Sequence, residues 1–370
     1  MQKFKNIYHL FQAIIANILY GFPSQKLKVI GVTGTDGKTT TTHLIAHILK
    51  YAGKKVSFVS SVFASIGGIE TDIGFHVTTP SSFAVQKLLK QSADNGDEYF
   101  VLETTSHALD QNRVWGINYE IGAITNITHE HLDYHKNFSD YEKTKYKLLT
   151  MSKIAIKNTN EVTNAVKKIP DLTTYNQQNY SVAYTVCKQL GISEKSILEA
   201  MKTFELPKGR LDLVYDKDFK VIIDFAHTPN ALLQLLPAIR KLYLKNQGRL
   251  IHVFGSAGLR DFTKRPLMGE ASAKFSDEII ITEEDFRTED LQKICQQISS
   301  GIKNKKFQII TDRMEAITQA ISIANKDDVV ILTGKSHEKS LCRGKVEYPW
   351  DEYKAVEIGV KSKNQMSNDK

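Results

Sequence analysis

The sequence predicts an α/β protein of two domains, each built on a mostly parallel sheet, and three observations predict it. An apolar strand over 29–33 runs through a glycine-bearing loop into a helix whose apolar positions are Leu44, Ile45, Ile48 and Leu49. Strands and helices alternate again from 221 to 333, the pattern of a parallel sheet with helices on both faces. At 370 residues, 41% of them apolar, the chain is long enough for two separate cores. The expected organisation is an apolar helix over 1–27, a first domain over 28–206, a second over 207–355 and a polar tail over 356–370.

The loop carries the first chemistry. Residues Gly34, Thr35, Asp36, Gly37, Lys38, Thr39 and Thr40 stand between strand and helix. Glycines let backbone N–H groups converge on phosphate oxygens, and the helix N-terminus adds positive potential. Lys38 supplies a full charge and the Thr39 hydroxyl can hold Mg²⁺. The general phosphate-loop pattern has a glycine five residues before Gly37, where this chain has Val32. With strand, loop and helix in order, the stretch is read as a site for a nucleoside triphosphate and Mg²⁺.

Composition bounds the partners. Lys and Arg total 49 against 41 Asp and Glu, a net charge of +8, which phosphorylated and carboxylated substrates explain as well as nucleic acid does. No basic run forms a nucleic-acid arm, and no nucleic-acid partner is expected. Cys187, Cys295 and Cys342 are far apart, without metal-type spacing, and read as packing residues of a reducing, cytoplasmic compartment. Near the N-terminus Phe4, Ile7, Leu10, Phe11, Ile14, Ile15, Ile18 and Leu19 trace a helical stripe. Gln12 and Asn17 interrupt it, and it is too short to span a bilayer well. It is expected to pack on the first domain, with peripheral membrane contact as the alternative and no stable insertion.

Along the first domain, a strand is expected over 55–60, a tight turn at Gly67-Gly68, and a helix to about 93 capped by Ser81-Ser82. The strand over 99–102 ends on Glu103, where a phosphate-loop protein keeps a Mg²⁺-binding carboxylate. Another strand over 121–125 leads to His129, Glu130, His131, Asp133 and His135, a cluster suited to metal or phosphate chemistry. The helix over 139–149 carries Lys143, Lys145 and Lys147, by spacing alone an exposed basic face. The stretch from 150 to 174 is polar and uninformative. Helices over 180–190 and 194–204 close the domain, and residues 205–210 read as a linker. In the second, Rossmann-like domain the chemistry-bearing residues fall at strand ends: Asp224 and His227, 255–264, 283–287 and 334–338.

Seven motifs, taken together, resemble the Mur ligase family, in its MurE type that adds the third amino acid to a UDP-N-acetylmuramoyl-dipeptide. They are the phosphate loop; Thr78-Thr79-Pro80; Glu103 with 106–113; 125–135 followed by Lys145; 224–229; Arg260-Asp261 with 264–266; and 334–338. The resemblance implies an ATP-dependent amide ligase of peptidoglycan precursor synthesis. By it, Thr39 and Glu103 bind one Mg²⁺, and Glu103 with His131 helps to bind a second. Lys145 matches the family lysine that becomes carbamylated, and Lys38, Glu103, His131 and Lys145 form the catalytic set. Asn126, His227, Arg260, Asp261 and Lys264 join the loop residues in holding ATP. Thr78, Thr79, Ser106, Gln111, Arg113, Arg210, Arg287, Gly334 and Glu338 contact the substrates, a muramyl-peptide precursor and an amino acid.

Departures from the family narrow the reading. The family's Asp-Asn-Pro-Arg motif for meso-diaminopimelate is here Glu284-Asp285-Phe286-Arg287; with Arg287 and Glu338 kept, diaminopimelate is expected ahead of lysine. Fewer than thirty residues precede the loop, so the family's UDP-binding domain is expected to be missing, with a partner subunit in its place or a uridine-free acceptor as the two ways to account for it. The usual Asn-x-Asp-Asp turn after Lys145 is lost, and Leu259 stands where aspartate is common. The alternatives are a related ligase on another acceptor, of poly-γ-glutamate or cyanophycin type, or a non-catalytic ATP-binding partner subunit.

Overall fold

A computed structural model describes residues 2–368 apart from 75–76, 129, 131, 136, 158–161 and 170–171. The chain divides into two compact units, Met1–Thr128 with His135–Pro207, and His129–Tyr134 with Lys208–Lys370.

The first unit is built on a seven-stranded sheet of β1 (Lys28–Thr33), β2 (Val56–Val59), β3 (Ala64–Ile66), β4 (Ile69–Thr71), β5 (Tyr99–Glu103), β6 (Tyr119–Ile124) and β7 (Ser152–Lys157). Their order is β4-β3-β2-β5-β1-β6-β7. The strands from β2 to β7 in that order pair in parallel, and the hairpin β3–β4 adds the antiparallel edge. In chain order to Pro207 the helices are α1 (Gln2–Tyr20), α2 (Lys38–Tyr51), α3 (Ser82–Asp94), α4 (Ser106–Asp110), α5 (Leu132–His135), α6 (Phe138–Thr150), α7 (Asn164–Lys167), α8 (Thr174–Gln189) and α9 (Glu194–Lys202). Leu44, Ile45, Ile48 and Leu49 of α2 are all fully buried against Ile30 and Val32 of β1 and the residues of α8 and α9. The apolar stripe read from the sequence is the face that makes this core.

The second unit carries β8 (Asp212–Asp216), β9 (Lys220–Asp224), β10 (Leu250–Phe254), β11 (Glu278–Ile281), β12 (Gln308–Ile309) and β13 (Val329–Thr333), in the order β12-β11-β10-β13-β9-β8. All pair in parallel except β8. A separate hairpin joins β14 (Ser340–Arg343) to β15 (Val346–Pro349). The helices are α10 (Pro229–Tyr243), α11 (Lys264–Phe275), α12 (Leu291–Ser299), α13 (Arg313–Ile323) and α14 (Glu352–Asn368). One face of the sheet packs on α10 to α12 and the other on α13 and α14.

Three expectations are corrected. The stretch after Thr150 is not featureless: β7 extends the sheet at its edge, and Ile156 is its buried residue. The expected polar tail is most of α14, which buries Ala355 and Val356 against the sheet. The Arg313 guanidinium ties that helix down, donating to both oxygens of Glu352 at 2.9 and 2.5 Å, with both side chains fully buried. The helix α1 does pack within the first unit, against α3, but through Ala13, Ala16 and Asn17, while most of the apolar stripe faces outward. Among the described residues no helix is long and apolar enough to cross a membrane.

Candidate active site

Sheet register assembles the cluster of the first unit. Val32 of β1 lies opposite Glu103 of β5, so the strand-end carboxylate and the phosphate loop leave the sheet at the same end. Thr39, in the first turn of α2, donates to Glu103 Oε2 at 3.1 Å and shares a hydrogen bond of 2.8 Å with Ser61 Oγ. The Ser61 N–H donates to the same carboxylate oxygen at 2.9 Å. Thr39 and Glu103 are both buried. A hydroxyl and a carboxylate held together in a dry site are hard oxygen donors of the kind Mg²⁺ takes. Among the described residues no group of three His, Cys, Asp or Glu side chains converges on a metal-sized site.

The loop is braced from its own unit. Gly37 opens α2 at φ 80°, and a Cβ there would stand 2.0 Å from Asn179 Oδ1, so both conformation and space demand glycine. The Asp36 N–H donates to Asn126 Oδ1 at 2.9 Å, and Asn126 Nδ2 returns a bond to the Asp36 carbonyl at 3.2 Å. Thr35 Oγ1 shares a hydrogen bond of 3.0 Å with Tyr141 OH. Thr40 is buried in α2. Two lysines meet at one loop carbonyl: Lys38 Nζ donates to Gly34 O at 3.2 Å and to Thr35 O at 2.8 Å, and Lys145 Nζ donates to Gly34 O at 2.6 Å. Lys145 is buried and sits 4.6 Å from the centre of the Tyr141 ring, not on an exposed basic face.

Next to Glu103, Thr79 Oγ1 donates to the Glu103 carbonyl at 2.9 Å and accepts the Thr105 N–H at 2.9 Å. Arg113 donates to the Thr79 carbonyl at 3.1 Å and to Gln111 Oε1 at 2.8 Å, so these residues and the adjoining Thr78 form one patch. Ser106 Oγ lies 3.0 Å from His135 Nε2. Burial pushes the His135 imidazole down to about 4, Lys145 and Lys147 pushing the same way and Asp110 against them. His131, one of the four expected catalytic residues, lies outside the described residues, as does His129.

In the second unit the parallel strands deliver their chemistry at one edge, Thr333 standing opposite Asp224 in the register. Lys335, just past β13, is fully buried and donates to Asp285 Oδ1 at 2.9 Å and Glu338 Oε2 at 2.5 Å. Burial opposes its charge, but the two carboxylates outweigh that and hold its amine above the usual lysine range. Glu284 is buried, and its Oε2 has no hydrogen-bond partner among the described residues. Burial, with Asp285 adding to it, raises the Glu284 carboxyl above the ordinary carboxylate range. Gly334, at φ 99°, leaves room there, since a Cβ would come within 2.9 Å of Glu284 Oε2. Arg287 donates to the Gly258 carbonyl at 2.8 Å and stands 3.9 Å from Asp285.

The remaining expected residues of this unit are spread around that edge. The Arg210 guanidinium lies over the Phe225 ring at 4.7 Å, and His227 Nδ1 donates to the Phe225 carbonyl at 2.9 Å. Buried Asp261 accepts the Thr263 N–H at 3.0 Å. Lys264 donates to Glu130 Oε1 at 2.9 Å, Glu130 belonging to the short segment grouped with this unit. Arg260 is exposed. The structure therefore gathers Lys38, Thr39, Glu103 and Lys145 in one unit, and Arg287, Gly334 and Glu338 in the other. Sequence reasoning missed Ser61, Asn179 and Tyr141 as parts of these clusters, and it placed Glu284 and Lys335 within the expected stretches 283–287 and 334–338 without giving either a role. Two carried a signal: Tyr141 precedes Lys145 by one helical turn, and Lys335 directly follows Gly334 at a strand end.

A phosphate loop with a strand-end carboxylate on one sheet, followed by a second α/β unit with buried charge at its strand ends, is the architecture of an ATP-using ligase. The profile of the Mur ligase middle domain matches residues 32–214, and that of the Mur ligase, glutamate ligase domain matches residues 209–336. The UDP-N-acetylmuramoyl-L-alanyl-D-glutamate--2,6-diaminopimelate ligase of Aquifex aeolicus is 37% identical over 92% of this chain and 79% of its own. Ligase 1 of the same name from Clostridium acetobutylicum is 34% identical over 94% and 81%. The fold is shared with a folylpolyglutamate synthase/dihydrofolate synthase of Yersinia pestis solved with AMPPNP and Mn, at 18% identity and a TM-score of 0.69 over 89% of this chain and 90% of that one. The chain belongs to the Mur ligase family, enzymes that form carbon–nitrogen bonds at the expense of ATP.

Proposed function

We propose that this enzyme joins meso-diaminopimelate to a carboxylate of a muramyl-peptide acceptor in peptidoglycan precursor synthesis in the cytoplasm, with residues 28–206 serving ATP and 207–355 the amino acid. The observation that carries the amino-acid choice is the buried Glu284 Oε2, which has no hydrogen-bond partner among the described residues, three residues before Arg287. A diamino dicarboxylic acid offers an ammonium to the first and a carboxylate to the second, and each would be a charge-assisted bond. The names of the 34–37% identical relatives support the same choice.

The steps balance simply. An acceptor carboxylate oxygen takes the γ-phosphoryl group as the bond to ADP breaks; the amine then attacks the acyl carbon, and phosphate leaves with formation of the amide. Lys38 and the N–H groups of 34–40 would cradle the phosphates, with Asn126, His227, Arg260, Asp261 and Lys264 around the nucleotide. Thr39, Glu103 and His131 would hold Mg²⁺, which when bound neutralises developing charge on the transferred group. Lys145, carrying CO₂ as a carbamate, would turn from a donor into an anion beside the loop. Thr78, Thr79, Ser106, Gln111, Arg113 and Arg210 would orient the acceptor; Arg287, Gly334 and Glu338 would orient the amino acid.

The test is phosphate release by the full chain with ATP, Mg²⁺ and UDP-muramyl-dipeptide or its uridine-free form, against diaminopimelate and lysine. Release should need both acceptor and amine, and be faster with diaminopimelate. Arg287→Ala should raise the KM for diaminopimelate by about tenfold or more and leave that for lysine nearly unchanged. Release that ignores the amine, or equal effects on both amino acids, overturns the reading.

A further inference from the structure

The helix α1 turns its most apolar face to solvent. Phe4, Tyr8, Phe11, Ile15 and Ile18, spaced alternately by four and three residues, are 80, 61, 62, 54 and 65% exposed, and Ile7 and Leu19 are exposed beside them. The inward face is small and polar. Ala13, Ala16 and Asn17 are fully buried, and Asn17 Nδ2 donates to the carbonyls of Ala13 at 2.8 Å and Trp115 at 2.9 Å. The bulk that would normally dock a helix is left over. From those exposures and ordinary side-chain sizes the stripe offers roughly 800 Å² of apolar area, about what one partner contributes to a standard interface and more than a monomer's usual patch.

We propose that a second copy of this chain covers the stripe, two α1 helices pairing antiparallel about a two-fold axis. Three features favour a helix over a lipid surface as occupant. The four-three spacing is that of a two-helix seam. Residues 6–25 contain no Lys or Arg, whereas helices that lie in a membrane interface carry cations along the polar flank. A stripe apolar from end to end is self-complementary, as an isologous contact requires. The antiparallel sense opposes the two helix dipoles and brings Lys5 of each copy toward the C-terminal turn of the other, where free carbonyls favour a cation.

Sedimentation velocity of the full chain at about 20 μM should give the mass of two chains. Phe11→Glu with Ile15→Glu should give the mass of one, with circular dichroism unchanged because both side chains are exposed in the single chain, and with an unfolding midpoint that no longer rises with protein concentration. Phe11 lies at the middle of the stripe, so Phe11→Cys should cross-link two copies on mild oxidation; Cys187, Cys295 and Cys342 are buried and should not. Overturning results are a wild-type monomer at that concentration, a double variant that stays dimeric, a dimer that Phe11→Cys fails to cross-link, or a monomer that pellets with anionic phospholipid vesicles through this stripe.

Discussion

Two buried lysines, one in each compact unit, are held in opposite ways. Lys335 lies between the carboxylates of Asp285 and Glu338, which fix it as an ammonium despite its burial. Lys145 is held by the Gly34 carbonyl and lies over the Tyr141 ring, contacts that orient an amine and leave its chemistry to the ligands of the loop. The first lysine therefore reads as part of the binding wall, and the second as a brace of the phosphate loop. A buried lysine is not one kind of residue; the neighbours that compensate its charge decide what it does.

Lys145→Ala breaks the comparison most sharply. Ligase activity should fall by about 100-fold, and added acetate or formate should restore part of it, because a small carboxylate can stand where the proposed carbamate would stand. Equal activity of variant and parent would remove the role. Lys335→Met should respond differently, in stability first. With the cation gone, Asp285 and Glu338 lose the ammonium that both of them contact beside buried Glu284, and denaturant unfolding should show a loss of about 3–5 kcal/mol that acetate does not restore. Adding Asp285→Asn should recover part of that loss.

Acid sensitivity is the broadest effect, since each unit holds a buried histidine, His135 in the first and His252 in the second. His252 is fully buried between Ser272 Oγ at 2.8 Å and Thr333 Oγ1 at 3.0 Å, and burial, with Arg313 adding, pushes its imidazole down to about 3. Its ordinary value is 6.5, so the unfolded chain binds the proton first. The stabilisation is complete above about pH 6.5 and drains as the pH falls toward 3. Urea midpoints measured down that range should fall steadily, and a flat profile would contradict the buried neutral imidazole.

Much of this was legible locally. Strand, loop and helix at 28–51 declare themselves because phosphate binding needs glycines, a lysine and a hydroxyl within a few residues of each other, and Glu103 stands at a strand end. The strand β7 was not legible, since an edge strand with one buried side chain barely alternates. Neither was α14, whose polar composition hides a short buried ridge anchored by a distant arginine. The role of Lys145 came from resemblance alone, because its spacing on α6 equals that of Lys143 and Lys147 and only packing tells them apart.

What the sequence determined by itself was the family, the two α/β units and the identity of the loop chemistry, all of which rest on short-range patterns of residue type. What only the tertiary structure decided was direction. It turned most of the apolar stripe of α1 outward, drew Lys145 and Lys38 to one carbonyl, and left one oxygen of Glu284 buried without a partner among the described residues. Periodicity says that a helix has two faces; only the packing of distant segments says which face is turned inward.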